Sequence, residues 1–147
     1  MIAQIFIAPD RGHEMTSVEW VEAVADCGLV GDRYARAKYR KSADYQLTLI
    51  EIENIEQFTC DSGIPLSTDA PRRNLVTRGV RLNELVGKRF SAGPAVLEGL
   101  ELCEPCSLFA KRTDPSVVKY FLRKGGLRAR IIEGGTIRVH DFVGVRA

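Results

Sequence analysis

Apolar and polar positions change pattern every few residues along this chain, and the runs they form are short and bounded by glycine, proline or aspartate. Residues 2–7 are apolar almost throughout and stop at Ala8-Pro9-Asp10-Arg11-Gly12, which predicts a strand and a loop. Residues 18–24 place apolar side chains at 18, 20, 21, 23 and 24. Their β-branched and aromatic content favours a kinked strand over a short helix. Residues 28–34 read as a glycine-punctuated loop, and residues 36–40 as polar, basic surface. A strand is predicted over 46–50. Ile52, Ile55 and Phe58 then share one face of a helix over 51–58 that Asp61-Ser62-Gly63 ends.

The second half continues in short pieces. Leu75-Val76-Thr77 reads as a strand, residues 81–86 as a helical turn closed by Gly87, and residues 88–97 as two strands bent at Gly93-Pro94. Pro115 at a first helical turn and Gly125-Gly126 beyond the end predict a helix over 115–122. Residues 127–133, 136–139 and 142–145 read as strands, the first two joined as a hairpin at Gly134-Gly135. Short strands separated by such turns predict a mainly β fold, a closed or nearly closed β-barrel with a few short helices, in a single domain over 1–147.

Composition narrows the partners. A chain of 147 residues with 45% hydrophobic and 27% charged positions is one ordinary domain. A formal charge of +2 is too small to make nucleic acid a main partner. The first residues lack the cationic lead of a signal peptide, and no run approaches the ~20 apolar residues of a membrane helix. Four cysteines without dense spacing fit a reducing compartment, so a cytoplasmic location is expected.

The candidate chemistry lies between Arg72 and Arg112, around Cys103-Glu104-Pro105-Cys106. Cys103-x-x-Cys106 admits three readings: half a zinc site, a thioredoxin-like redox pair, or one reactive thiol beside a buried cysteine. Zinc would need partners that the scattered Cys27, Cys60, His13 and His140 do not offer in paired spacing, and the redox pair would call for a helix start beside a βαβ unit. Nearby arginines favour a reactive thiol, because positive charge stabilises the thiolate. Arg72, Arg73 and Asn74 carry groups suited to gripping phosphate or carboxylate oxygens and are candidate cofactor contacts; strand alternation allows only one arginine to line a given pocket, so Arg73 is expected inward, with Asn74 beyond it and Arg72 at a rim or in solvent. Gly31 and Asp32 fit either a cofactor-binding turn or a tight turn with a capping aspartate. Arg128 and Arg130, two apart on one strand face, fit an anion grip or outward surface. His13 and His140 sit at turns and receive no role.

Gly28-Leu29-Val30-Gly31-Asp32-Arg33, Arg72-Arg73-Asn74-Leu75-Val76-Thr77, Leu85-Val86-Gly87-Lys88-Arg89-Phe90, Leu97-Glu98-Gly99, Cys103-Glu104-Pro105-Cys106 and Gly125-Gly126-Leu127-Arg128-Ala129-Arg130 together resemble the MOSC family, named for the C-terminal domain of molybdenum cofactor sulfurases. The resemblance spans nearly the whole chain. It departs from the family pattern at Tyr34, where histidine is common, and at His140 before Asp141, where glycine is common. It implies a β-barrel, a Cys106 that carries persulfide sulfur or ligates molybdenum, and Arg73 and Asn74 in the pocket of the pterin cofactor. Two functions follow from it. One is an oxidoreductase that uses molybdenum cofactor to reduce N-hydroxylated or other N-oxygenated small molecules, as longer relatives do. The other is a sulfur carrier that passes persulfide sulfur between Cys106 and a donor or acceptor protein.

Overall fold

The computed structural model describes residues 1–36 and 45–146. Its order is β1 (Ile2–Ile7), β2 (Thr16–Val18), β3 (Trp20–Val24), β4 (Gly28–Leu29), β5 (Leu47–Glu51), α1 (Ile52–Ser62), β6 (Leu75–Thr77), β7 (Arg89–Ala92), β8 (Ala95–Leu102), α2 (Ser107–Arg112), α3 (Ser116–Tyr120), β9 (Leu127–Glu133), β10 (Gly135–Arg138) and β11 (Val143–Gly144). Single 3-10 turns cover Arg33–Ala35 and Leu82–Leu85. Most of the predicted residues 36–40 fall outside the described residues.

The strands form two open sheets. The larger runs β11-β7-β8-β9-β5-β6-β1-β2, and the smaller runs β10-β3-β4. The expected closed barrel is therefore corrected to an open mixed sheet with edges at β11 and β2. The nearest approach to closure is at one corner, where Ile2 N–H donates to the Asp141 carbonyl and His140 N–H to the Ile2 carbonyl, both at 2.8 Å. Among the described residues no ladder joins the edges there: β11 is two residues long and pairs with β7 alone. The predicted hairpin at Gly134-Gly135 is also corrected. β9 pairs with β8 and β5, whereas β10 pairs with β3, so the chain changes sheets at these glycines. A φ of +156° at Gly135, with Pro94 against the place where a Cβ would stand, reserves the crossing for glycine.

Alternation along the large sheet separates two cores. Ile5, Leu47, Leu49, Leu75, Leu97 and Leu127 meet Val21, Leu29 and Ile137 of the small sheet. On the other face, Phe6, Ile50 and Val76 meet the helices. β5 and β6 are parallel, a pairing that requires a crossover, and α1 supplies it with Ile52, Ile55 and Phe58 buried as its spacing predicts. Gly63 ends α1 with φ +75°. Phe121 is the aromatic hinge of this layer, 5.7 Å from Phe58 and 5.3 Å from Phe109 between ring centres. α2 is thereby fixed over the end of β6, which places its first turn beside the Arg72-Arg73 segment. Among the described residues, no helix is long and apolar enough to cross a membrane.

Candidate functional site

Three backbone features build one cavity of about 200 Å³. The first is the segment before β6. Strand geometry starts only at Leu75, and Arg72 has φ +63°, so the alternation expected of Arg72 and Arg73 does not apply. Both side chains line the cavity, which corrects the placement of Arg72 at a rim or in solvent. Both residues are also 7% exposed, so each holds a charge largely removed from water.

The second feature is α2, a helix with no clear signature in the sequence. Cys106 is its N-cap, and its Sγ accepts from the Phe109 backbone N–H at 3.4 Å. The thiol is half-buried and lines the cavity, with Leu108 beside it. Cys103 is buried instead, and that burial pushes its thiol pKa up, against the opposing pull of the Arg73 and Arg128 charges. All four cysteines are free thiols.

The third feature is the paired wall of Arg11-Gly12 and Arg33-Tyr34. Arg33 is buried, forms a 3.0 Å ion pair with Asp32 and lies over the Tyr34 ring at 4.4 Å. Asp32 is 1% exposed and accepts from the Ala8 and Tyr34 N–H groups as well. Its role is to cap a turn and hold Arg33, not to reach the cavity. Gly31 has φ +91° and lies outside the lining. Tyr45, opposite, is 6.2 Å from Tyr34 between ring centres and carries Arg128 at 4.2 Å on its ring.

The remaining expected site residues divide. Asn74 is fully buried and does not line the cavity: its Oδ1 accepts from Thr48 N–H at 3.0 Å and Oγ1–H at 3.3 Å, and its Nδ2 donates to the Phe6 carbonyl at 3.1 Å. Arg128 stands behind Tyr45 and ion-pairs with Glu101 at 3.4 Å, without hydrogen-bond geometry at its buried Nε and Nη1. Arg130 is tied to Glu98 at 3.0 Å on the sheet surface, away from the cavity. Sequence reasoning left out Arg11, Tyr45 and Leu108, and gave no role to Arg33 or Tyr34. For Arg33 the signal was its place after Gly31-Asp32, where an aspartate cap orients the next side chain.

The electrostatics follow from this list. Among the described residues, only Arg33 of the four lining arginines has a carboxylate partner, and no lining side chain is acidic. Burial, with Arg33 and Arg112 nearby, lowers the Arg72 pKa from its ordinary value, partly offset by Cys106 and Tyr34. Such a cavity favours an anion, which relieves the repulsion and accepts forked hydrogen bonds. Among the described residues no three His, Cys, Asp or Glu side chains group as a metal site. Of the residues lining the cavity, Cys106 offers a soft sulfur donor, so a metal held here would take that sulfur and need its other donors from a cofactor. A phosphate-bearing cofactor with its own metal ligands fits both the lone thiol and the arginines.

The chain is thus a small domain whose open mixed sheet presents one capped thiol in an arginine-lined cavity. The MOSC domain family matches residues 31–144, and the chain belongs to that family. The fold resembles the YuaD protein from Bacillus subtilis with a TM-score of 0.80 at 15% identity, covering 97% of this chain and 92% of that one. It also resembles YiiM from Geobacillus stearothermophilus, with a TM-score of 0.76 at 17% identity over 100% and 75% of the two chains. YiiM from Escherichia coli gives 0.67 at 16% identity over 100% and 71%. No curated protein matches the sequence.

Proposed function

We propose that this MOSC-domain protein binds molybdenum cofactor in the arginine-lined cavity, with the Cys106 thiolate as the protein's ligand to the metal, and reduces N-oxygenated small molecules. The observation that carries this reading is the convergence of Cys106 with Arg11, Arg72 and Arg73, whose charges have no acidic partner among the described residues that line the cavity. Arg72 and Arg11 would hold the phosphate, and Arg33, fixed by Asp32, would add its charge and its stacked tyrosine face. The Phe109 N–H caps the Cys106 sulfur and fixes where it faces the cavity, and a thiolate is the form of cysteine that ligates a soft metal. When bound, the cofactor supplies a metal that exchanges electrons and accepts oxygen. For an N-hydroxylated amine the net change is R–NH–OH + 2 e⁻ + 2 H⁺ → R–NH₂ + H₂O, with the electrons drawn from a separate reduced carrier.

The test is elemental analysis of protein purified from a host that makes the cofactor, alongside Cys106→Ser. Stoichiometric molybdenum in the wild type, and its near-complete loss in Cys106→Ser with an unchanged melting curve, is the expected result. Metal-free protein with labile sulfur on Cys106 would replace this reading with the sulfur-carrier one.

A further inference from the structure

Arg73 faces the cavity, yet its forked guanidinium is engaged elsewhere. Nε donates to the Gly125 carbonyl at 2.8 Å and Nη2 to the Glu104 carbonyl at 2.9 Å. These acceptors lie on the two strands of chain that enclose Cys103: the loop leading to Cys106 and the turn before β9. The same two segments are joined by a backbone bond, Cys103 N–H to the Gly126 carbonyl at 2.8 Å. They touch so closely that a Cβ at Gly125 would collide with the Cys103 carbonyl oxygen. One buried cation thus bridges the loop between two cysteines to the segment that covers the first of them.

We infer that Arg73 is a positioning residue that keeps the two cysteines unlike, holding the loop so that Cys106 is presented to the cavity while Cys103 stays sealed behind it. The inference rests on the reading of Cys106 as the working thiol. It assigns anion binding to Arg11 and Arg72, and leaves Arg73 to contribute charge but not its fork, as Arg33 does with its terminal nitrogens on Asp32 and the Arg72 carbonyl. Lysine cannot replace it, because one ammonium does not span two carbonyls with the fixed geometry of a guanidinium. A sealed Cys103 also matters chemically, since a second accessible thiol three residues away would compete for any sulfur or metal offered to Cys106.

The test is carried out on metal-free protein, so it reads Arg73 whether or not the chain takes up molybdenum. Native-state iodoacetamide labelling, resolved by mass spectrometry, should find Cys106 labelled and Cys103 protected in the wild type. In Arg73→Lys and Arg73→Met, loss of hydrogen bonds from a charged donor should raise Cys103 labelling by about tenfold to a hundredfold. Inorganic pyrophosphate binding should change by less than about threefold in Arg73→Lys, against about tenfold in Arg72→Gln. A merely structural role predicts otherwise: Ile137→Ala, which destabilises the distant small sheet, would then expose Cys103 equally at a matched loss of melting temperature. Equal exposure in that control, or Cys103 still protected in both Arg73 variants, overturns the proposal, as does a tenfold loss of pyrophosphate affinity in Arg73→Lys. Hydrogen exchange on the wild type is independent of variant folding: a Cys103 amide that exchanges as fast as an unstructured one would also refute the clamp.

Discussion

Arg72 and Asn74 stand two residues apart in sequence and are opposites in the fold. Asn74 is closed within the protein, where Thr48 and Phe6 satisfy both ends of its amide, tying β5 and β1 to the start of β6. Two residues earlier, the chain stands outside strand geometry and the Arg72 cation opens onto a cavity with no acidic lining side chain among the described residues. A buried polar group whose every partner is internal belongs to the architecture. One whose charge is left unbalanced is placed for something that arrives from outside.

The sharpest way to break this contrast is Asn74→Leu. It leaves the Thr48 N–H and Phe6 carbonyl buried and unpaired, so urea unfolding should show a loss of about 3 kcal/mol or more. A loss below 1 kcal/mol would remove Asn74 from the architecture and return it to the cavity side. Next comes Arg72→Gln, the complementary change. Stability should hold within about 1 kcal/mol, because relief of repulsion from Arg33 and Arg112 offsets the lost bond to the His13 carbonyl. Pyrophosphate affinity, measured by calorimetry, should fall by about tenfold. A variant that unfolds with intact affinity would show Arg72 to be a second Asn74.

The smallest effect concerns a partly buried carboxylate far from the cavity. Glu51 has its pKa raised by burial, with Glu53 and Glu84 adding to the rise and the Leu82 N–H and Arg81 opposing it. A folded pKa above the unfolded one means that the folded state holds its proton more tightly, so this group lowers stability as pH rises through the carboxylate range. Glu51→Gln should therefore melt higher than wild type at pH 7, and the gain should vanish at about pH 3.5, where both states are protonated. A gain that persisted in acid would point to packing instead of charge.

Much of the scaffold was legible because it rests on local signals. Ile52, Ile55 and Phe58 gave α1, Leu75-Val76-Thr77 gave β6, and Gly93-Pro94 gave the β7–β8 turn. The kink read in residues 18–24 falls at Glu19, between β2 and β3. Closure of the sheet was not legible, because pairing between distant strands leaves no periodic mark. Gly134-Gly135 resembles a hairpin turn and serves as a sheet crossing, and nothing local separates the two. The cavity was half legible. Cys106 and Arg73 stood out by type, but Arg72 joined them through a backbone angle unusual for arginine, and Arg11 through a loop whose neighbours lie far along the chain.

α2 has a consequence for how the cavity is held together. Its six residues make a rod of about 9 Å. Sulfur is fastened to one end, and at the other Arg112 grips the Gly12 carbonyl at 2.8 Å, in the loop that brings Arg11 to the cavity. One short helix thus anchors both the thiol and the Arg11-Gly12 loop, so two walls of the cavity share a single support.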